Sequence, residues 1–129
     1  MIEQVITAGP VRVELPPVSA MSRVARLTAS GVASMAGFTI DEIDDINVIV
    51  SEVMVALVEH GAQHTIVVTF DVTNGCFTVR GVTDLAEFDL DNRDLALCRT
   101  VLAAVSTEHG IEHDGVRAEI WATLQQSQS

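Results

Sequence analysis

The chain has 129 residues and a mass of 13.8 kDa, one domain's length, and its 48% hydrophobic content with a mean hydropathy of +0.35 excludes a disordered chain. Eighteen acidic residues against seven basic ones set the net charge at −11, and every cation is an Arg. Phosphate backbones are bound through Lys and Arg, so this balance argues against nucleic acid; it suits a basic protein surface, and solubility alone accounts for it equally well.

The opening stretch MIEQVITAGP has neither the basic start nor the apolar core of a signal peptide. The longest strictly apolar run, Val53 to Val58, is far short of the roughly 20 residues that cross a bilayer. A cytoplasmic single domain over 1–129, with no membrane partner, is therefore expected. Val11 to Leu15 alternates apolar with polar and stops at Pro16-Pro17, which predicts a first strand at a sheet edge. Ser19 is placed to cap a helix running to about Ala36, with Met21, Val24, Thr28, Gly31 and Met35 along one side and Arg23, Arg26, Ser30 and Ser34 nearer the other. Gly37 ends it.

Thr39 and Glu42 form a capping box for a second helix of about 20 residues, roughly 30 Å long. Its inward stripe is Ile43, Ile46, Val50, Val53 and Leu57, and Gly61 follows its end. Thr65 to Val72 and Cys76 to Val82 are β-rich runs joined by Asn74-Gly75, a strong hairpin signal. TDLAEFDLD reads as an acidic irregular loop. From about Asn92 a third helix carries Leu95, Cys98, Leu102 and Val105 on one face until Gly110. Ile111 to His113 and Val116 to Leu124, turned by Asp114-Gly115, make a closing hairpin, and the tail QQSQS (125–129) reads as a frayed end. The order β-α-α-β-β-α-β-β predicts an α+β two-layer sandwich of about five mostly antiparallel strands with three helices on one face.

Glu52 stands out in INVIVSEVMVALVEHG, because its i±3 and i±4 helical neighbours are Val48, Ile49, Val55 and Ala56. A carboxylate so placed needs a cleft, a partner or water. Asp45, Glu52 and Glu59 recur every seven residues, which fits either a solvated acidic face or a pocket remnant around Glu52. His60/His64 and His109/His113 have H-x-x-x-H spacing, but each pair straddles a predicted helix end, so no metal site is expected. His60 is placed to cap its helix, and the other three read as surface residues. Cys76 and Cys98 read as reduced packing thiols. Arg23 and Arg26 form the one basic pair, solvated or facing an acidic partner. Ser51 has no His placed to activate it and reads as packing.

The element order together with the central helix resembles the GHKL (Bergerat-type) ATPase superfamily, and within it the bacterial anti-sigma-factor serine kinases of partner-switching systems. Ser51, Glu52, Val53, His60 and Gly61 stand in the register of that family's S-E-L-x-x-N-A-x-x-H-G helix. RDLALCRTVL is similar to its G-R-G-L-A-L-V-R segment, and DGVRAEIWATL to its terminal G-G-T-x-V-x-F strand. The resemblance implies a Glu acting as general base and an Asn four residues later holding Mg²⁺ on ATP. Glu52 is present, but Ala56 stands at the Asn position and offers no ligand. The D-x-G-x-G adenine box falls on RGVTD, with Gly81 at the Asp position and Thr83 at the first Gly; Asp84 substitutes only if the register slips by three. The second glycine-rich box becomes DNRDL, where Asn92 and Asp94 replace glycines and Arg93 is the only nearby cation.

A helix N-terminus attracts phosphate through its free N–H groups and dipole, and Asp89, Asp91 and Asp94 crowd that end with anions of their own. The resemblance therefore implies a degenerate, pseudo-ATPase member that needs no cofactor and binds a sigma factor or an anti-sigma antagonist, as a homodimer in the manner of such proteins. The alternative is an active kinase that uses ATP and Mg²⁺, with Glu52 catalytic, to phosphorylate a serine on the antagonist. A small-ligand sensor reusing the pocket is a third reading.

Overall fold

The computed structural model describes residues 10–127. Its centre is the predicted hairpin, β2 (Ile66–Thr73) and β3 (Cys76–Asp84). Asn74 at φ 52° and Gly75 at φ 74° both take the left-handed backbone of a two-residue type I′ turn, whose twist matches that of the strands. A long antiparallel ladder, from Cys76 opposite Gln125 to Asp84 opposite Arg117, joins β3 to β5 (Arg117–Gln125). β4 (Glu108–His113) lies outside β5, and β1 (Val11–Leu15) is the opposite edge, as its two prolines predict. The sheet is antiparallel throughout, in the order β1-β2-β3-β5-β4.

Three helices cover one face: α1 (Met21–Met35), α2 (Ile40–Glu59) and α3 (Arg93–Val105). This is the expected element order and an α+β sandwich. α2 lies over the sheet and opens with the expected box, the Thr39 hydroxyl accepting from Glu42 N (3.1 Å) and the Glu42 carboxylate from Thr39 N (2.7 Å). It buries Ile46, Val50, Val53 and Leu57 completely, each worth about 2 kcal/mol of transfer free energy. Against them stand Ile66, Val68, Phe70, Phe77, Val79 and Ile120 from alternate strand positions.

α1 departs from its expected pattern. Its N-cap is Ala20, without a side-chain cap, so Ser19 does not serve. The buried face is Ser22, Ala25, Ala29, Val32 and Ala33, which leaves Val24 (40% exposed) and Met35 (61%) outside. Alanines at that face let α1 settle close to α2, and the two helices are also joined by Ser30 Oγ to Asn47 Oδ1 (3.0 Å) and Arg26 to Ser51 Oγ (3.2 Å).

α3 also ends earlier than Gly110 suggested. Ser106 is already extended, and Thr107 N donates to Thr123 O (2.7 Å), so pairing with β5 takes over from the helix. Gly110 is a strand residue opposite Trp121, and a β-carbon there would sit 2.5 Å from the indole nitrogen. The glycine seats the indole rather than stopping a helix.

The expected frayed tail is held as far as Ser127. Gln125 closes β5, Gln126 N donates to Gly75 O (2.8 Å), and Ser127 donates to the Glu42 carboxylate through its N–H (2.6 Å) and its hydroxyl (2.9 Å). The backbone bonds from Ser127 and Thr39 hold the Glu42 carboxyl down at about 2, from an ordinary 4.5. A carboxyl lowered on folding adds stability above its unfolded value, and that stability is lost as pH falls through the folded one. Glu42→Gln should therefore lower Tm at pH 7, and the gap to the parent should close as pH falls from about 4.5 towards 2. Thermal melts across that range measure it.

Candidate functional site

Glu52 is half-buried on the side of α2 that faces α3, in a groove of about 310 Å³ lined by Arg26, Asn47, Val48, Ser51, Glu52 and Val101. The Cys98 thiol lies 3.9 Å from the Glu52 carbonyl. Burial first, and then the nearby charge of Glu59, push the Glu52 carboxyl above the ordinary carboxylate range. Among the described residues no cation lies within ion-pair distance of it. Arg26 shares the groove, but its guanidinium donates to Ser51 instead. Asp45 and Glu59 are exposed, so the seven-residue acidic series is solvated at its ends and half-buried at Glu52. The Cys98 thiol, desolvated and facing the Glu52 charge, is pushed up to about 11, and both cysteines are free thiols as expected.

Ala56, one turn after Glu52, is buried. Gly81 lies in mid-strand on the face of β3 that meets α2. A β-carbon built there would fall 2.7 Å from Val53 Cγ1 and 2.9 Å from Leu57 Cδ1, closer than real side chains approach. Thr83 points to the same face, with its buried hydroxyl 3.2 Å from Thr65 O and 3.3 Å from His64 O, which ties the segment after α2 to β3. Asp84 points to the other face, exposed, 3.8 Å from Arg117 across the ladder. Asp84 thus does not stand in for a side chain at position 81.

At the start of α3 the cap is Asn92, whose side chain accepts from Asp94 N (2.7 Å). Asp89 accepts from Asp91 N (3.0 Å) in the turn before it, and Arg93 and Asp94 are exposed. The groove at Glu52 is lined by none of Ala56, Gly81, Asp84, Asn92, Arg93 or Asp94.

The acidic loop between β3 and α3 is anchored by contacts that the sequence reading missed. Phe88 is buried edge-on between the rings of His60 (6.0 Å) and His113 (5.8 Å). His113 Nε2 lies 2.6 Å from Leu85 O, and Arg99 donates to Leu90 O (2.9 Å). His60 is the α2 C-cap as expected. His113 is not a plain surface residue: it holds the loop, and with His109 it lies within β4 rather than across a helix end. The apolar spacing Leu85, Phe88, Leu90 inside an acidic stretch was the available signal. No group of three or more His, Cys, Asp or Glu able to hold a metal occurs among the described residues, and no described helix is long and apolar enough to cross a membrane.

No protein-family model matches the chain, and no curated protein matches it. Solved structures do. The RsbU and RsbW domains of Rv1364c from Mycobacterium tuberculosis align over 95% of this chain and 34% of theirs, with a TM-score of 0.77 at 20% identity. The SiaB-SiaC complex from Pseudomonas aeruginosa aligns over 88% of both chains, with a TM-score of 0.62 at 11% identity. The chain thus spans about a third of the first of these. At such identities the likeness is one of fold alone.

Phe88→Ala should release the loop. Stability should fall by about 3 kcal/mol, the usual cost of emptying a buried Phe site, and amide exchange should quicken over residues 84–94 ahead of the rest of the chain.

Proposed function

We propose that this chain is a regulatory member of the anti-sigma-factor kinase-like group that works by binding another protein, a sigma factor or an anti-sigma antagonist, with ATP binding and kinase activity lost. The observation that carries the proposal is the packing over Gly81. The family's adenine contact needs an Asp there, whereas Val53 and Leu57 crowd even a β-carbon, at 2.7 and 2.9 Å. Ala56, where a metal-holding Asn would stand, supports the same reading, since a methyl group offers no oxygen to Mg²⁺. The anions around the start of α3 oppose a triphosphate. A protein partner is supported by the net charge of −11 and by the SiaB-SiaC structure, itself a complex of two proteins. The resemblance extends to a homodimer, which sedimentation equilibrium reads directly.

One observation favours the second reading, an active ATP-Mg²⁺-dependent serine kinase. Glu52 is desolvated and its carboxyl is raised, as a general base requires. Calorimetric titration with ATP-Mg²⁺ separates the two. The regulatory reading expects no binding up to millimolar nucleotide, and an affinity in the micromolar range overturns it. Mixing the chain with the sigma factors and antagonists encoded beside it should give a stoichiometric complex by size-exclusion chromatography without nucleotide. A complex that forms only with ATP-Mg²⁺ contradicts the proposal.

A further inference from the structure

Among the large apolar side chains that the helices expose are Val48 (41% exposed) on α2 and Leu97 (67%) on α3, beside Val24, Leu27 and Met35 on α1 and Ile40 on α2. Val48 lines the groove at Glu52, and Leu97 lies one turn before Val101, which also lines it, on α3. At its floor the half-buried carboxylate of Glu52 has no cation within ion-pair distance among the described residues, while Arg26 is engaged with Ser51. Asp45 and Glu59 add exposed negative charge one heptad to either side of Glu52.

An unpaired, half-buried carboxylate beside Val48 and Val101, in a groove also lined by Arg26, Asn47 and Ser51, is complementary to a cation carried on an apolar surface. A groove between packed helices takes the ridge of another helix. A second copy is a poor occupant of this face, because it would set Asp45, Glu52 and Glu59 of both copies against one another. We propose that this surface, centred on Glu52 and bordered by Val48 and Leu97, is the docking site for an amphipathic helix of a protein partner, which sets one Arg or Lys, flanked by apolar residues, against Glu52.

The inference rests on the protein-binding reading above and gives it a surface and a chemistry. The test uses a fluorescein-labelled helical peptide of about five turns, with a leucine stripe interrupted by one Arg and a neutral Gln-rich outer face, together with its counterpart carrying Glu in place of Arg. Fluorescence anisotropy at physiological salt reads binding to the intact chain. The Arg peptide should bind in the micromolar range, and the Glu peptide should bind at least about tenfold more weakly. Glu52→Arg and Leu97→Asp should each cost the Arg peptide about tenfold or more, and Glu52→Arg should reverse the preference between the peptides.

Glu112→Arg, on the exposed edge strand β4, makes the same change in net charge and should leave binding within about twofold. Glu52→Gln, with matching thermal melts, separates loss of charge from loss of fold. No binding by the parent chain, or equal losses from Glu52→Arg and Glu112→Arg, overturns the assignment. A partner complex that survives both Glu52→Arg and Leu97→Asp also overturns it while leaving the protein-binding reading intact. A micromolar affinity for ATP-Mg²⁺ overturns that reading without moving the peptide result.

Discussion

Helix α2 lies directly on β3 because Gly81 has no side chain. Val53 is β-branched and held near one rotamer in a helix, and its Cγ1 would stand 2.7 Å from a β-carbon at 81; Leu57 Cδ1 closes the other side at 2.9 Å. This contact lies in the middle of the middle strand, under the helix that α1 and α3 both pack against. Close packing of this kind leaves no intermediate state in which a flat ligand slips between helix and sheet without moving a whole turn of α2. The solidity of this layer therefore turns on a glycine and two aliphatic side chains.

Other features follow the same constraint. The loop before α3 settles on its own anchor, Phe88 between His60 and His113. The anions at the start of α3 then carry no electrostatic penalty, since Asn92 caps the helix and the carboxylates stay in water. Glu52 lines an outer groove between the helices. Its burial is deep enough to raise its pKa and shallow enough to remain reachable from solvent.

Much of this was legible in the sequence where local chemistry decides structure. Asn74-Gly75 set the hairpin, the Thr39/Glu42 box set the start of α2, and the two prolines made β1 an edge. What was not legible depended on partners distant in the chain. Gly110 read as a helix stop because nothing local shows that an indole eleven residues later lies on it (121 − 110 = 11). The buried alanine face of α1 was hidden by larger, exposed residues such as Leu27 and Met35, since periodicity weighs size and tertiary packing here chose closeness. The tail looked frayed because a polar pentapeptide says nothing of the Glu42 carboxylate waiting for Ser127. At the candidate site the substitutions themselves, Ala56 and Gly81, were visible as departures from a pattern. That Val53 and Leu57 stand against Gly81 is a fact of packing.

The most direct test of that packing is the stability of Gly81→Ala by chemical denaturation. On propensity alone, replacing a mid-strand glycine with alanine stabilises by about 0.5–1 kcal/mol. If Val53 and Leu57 close the space as described, the added methyl instead overpacks the interface and lowers stability by about 1–3 kcal/mol, with an unchanged m-value. A neutral or stabilising result would mean that room remains above Gly81, and the account of a filled pocket would fail.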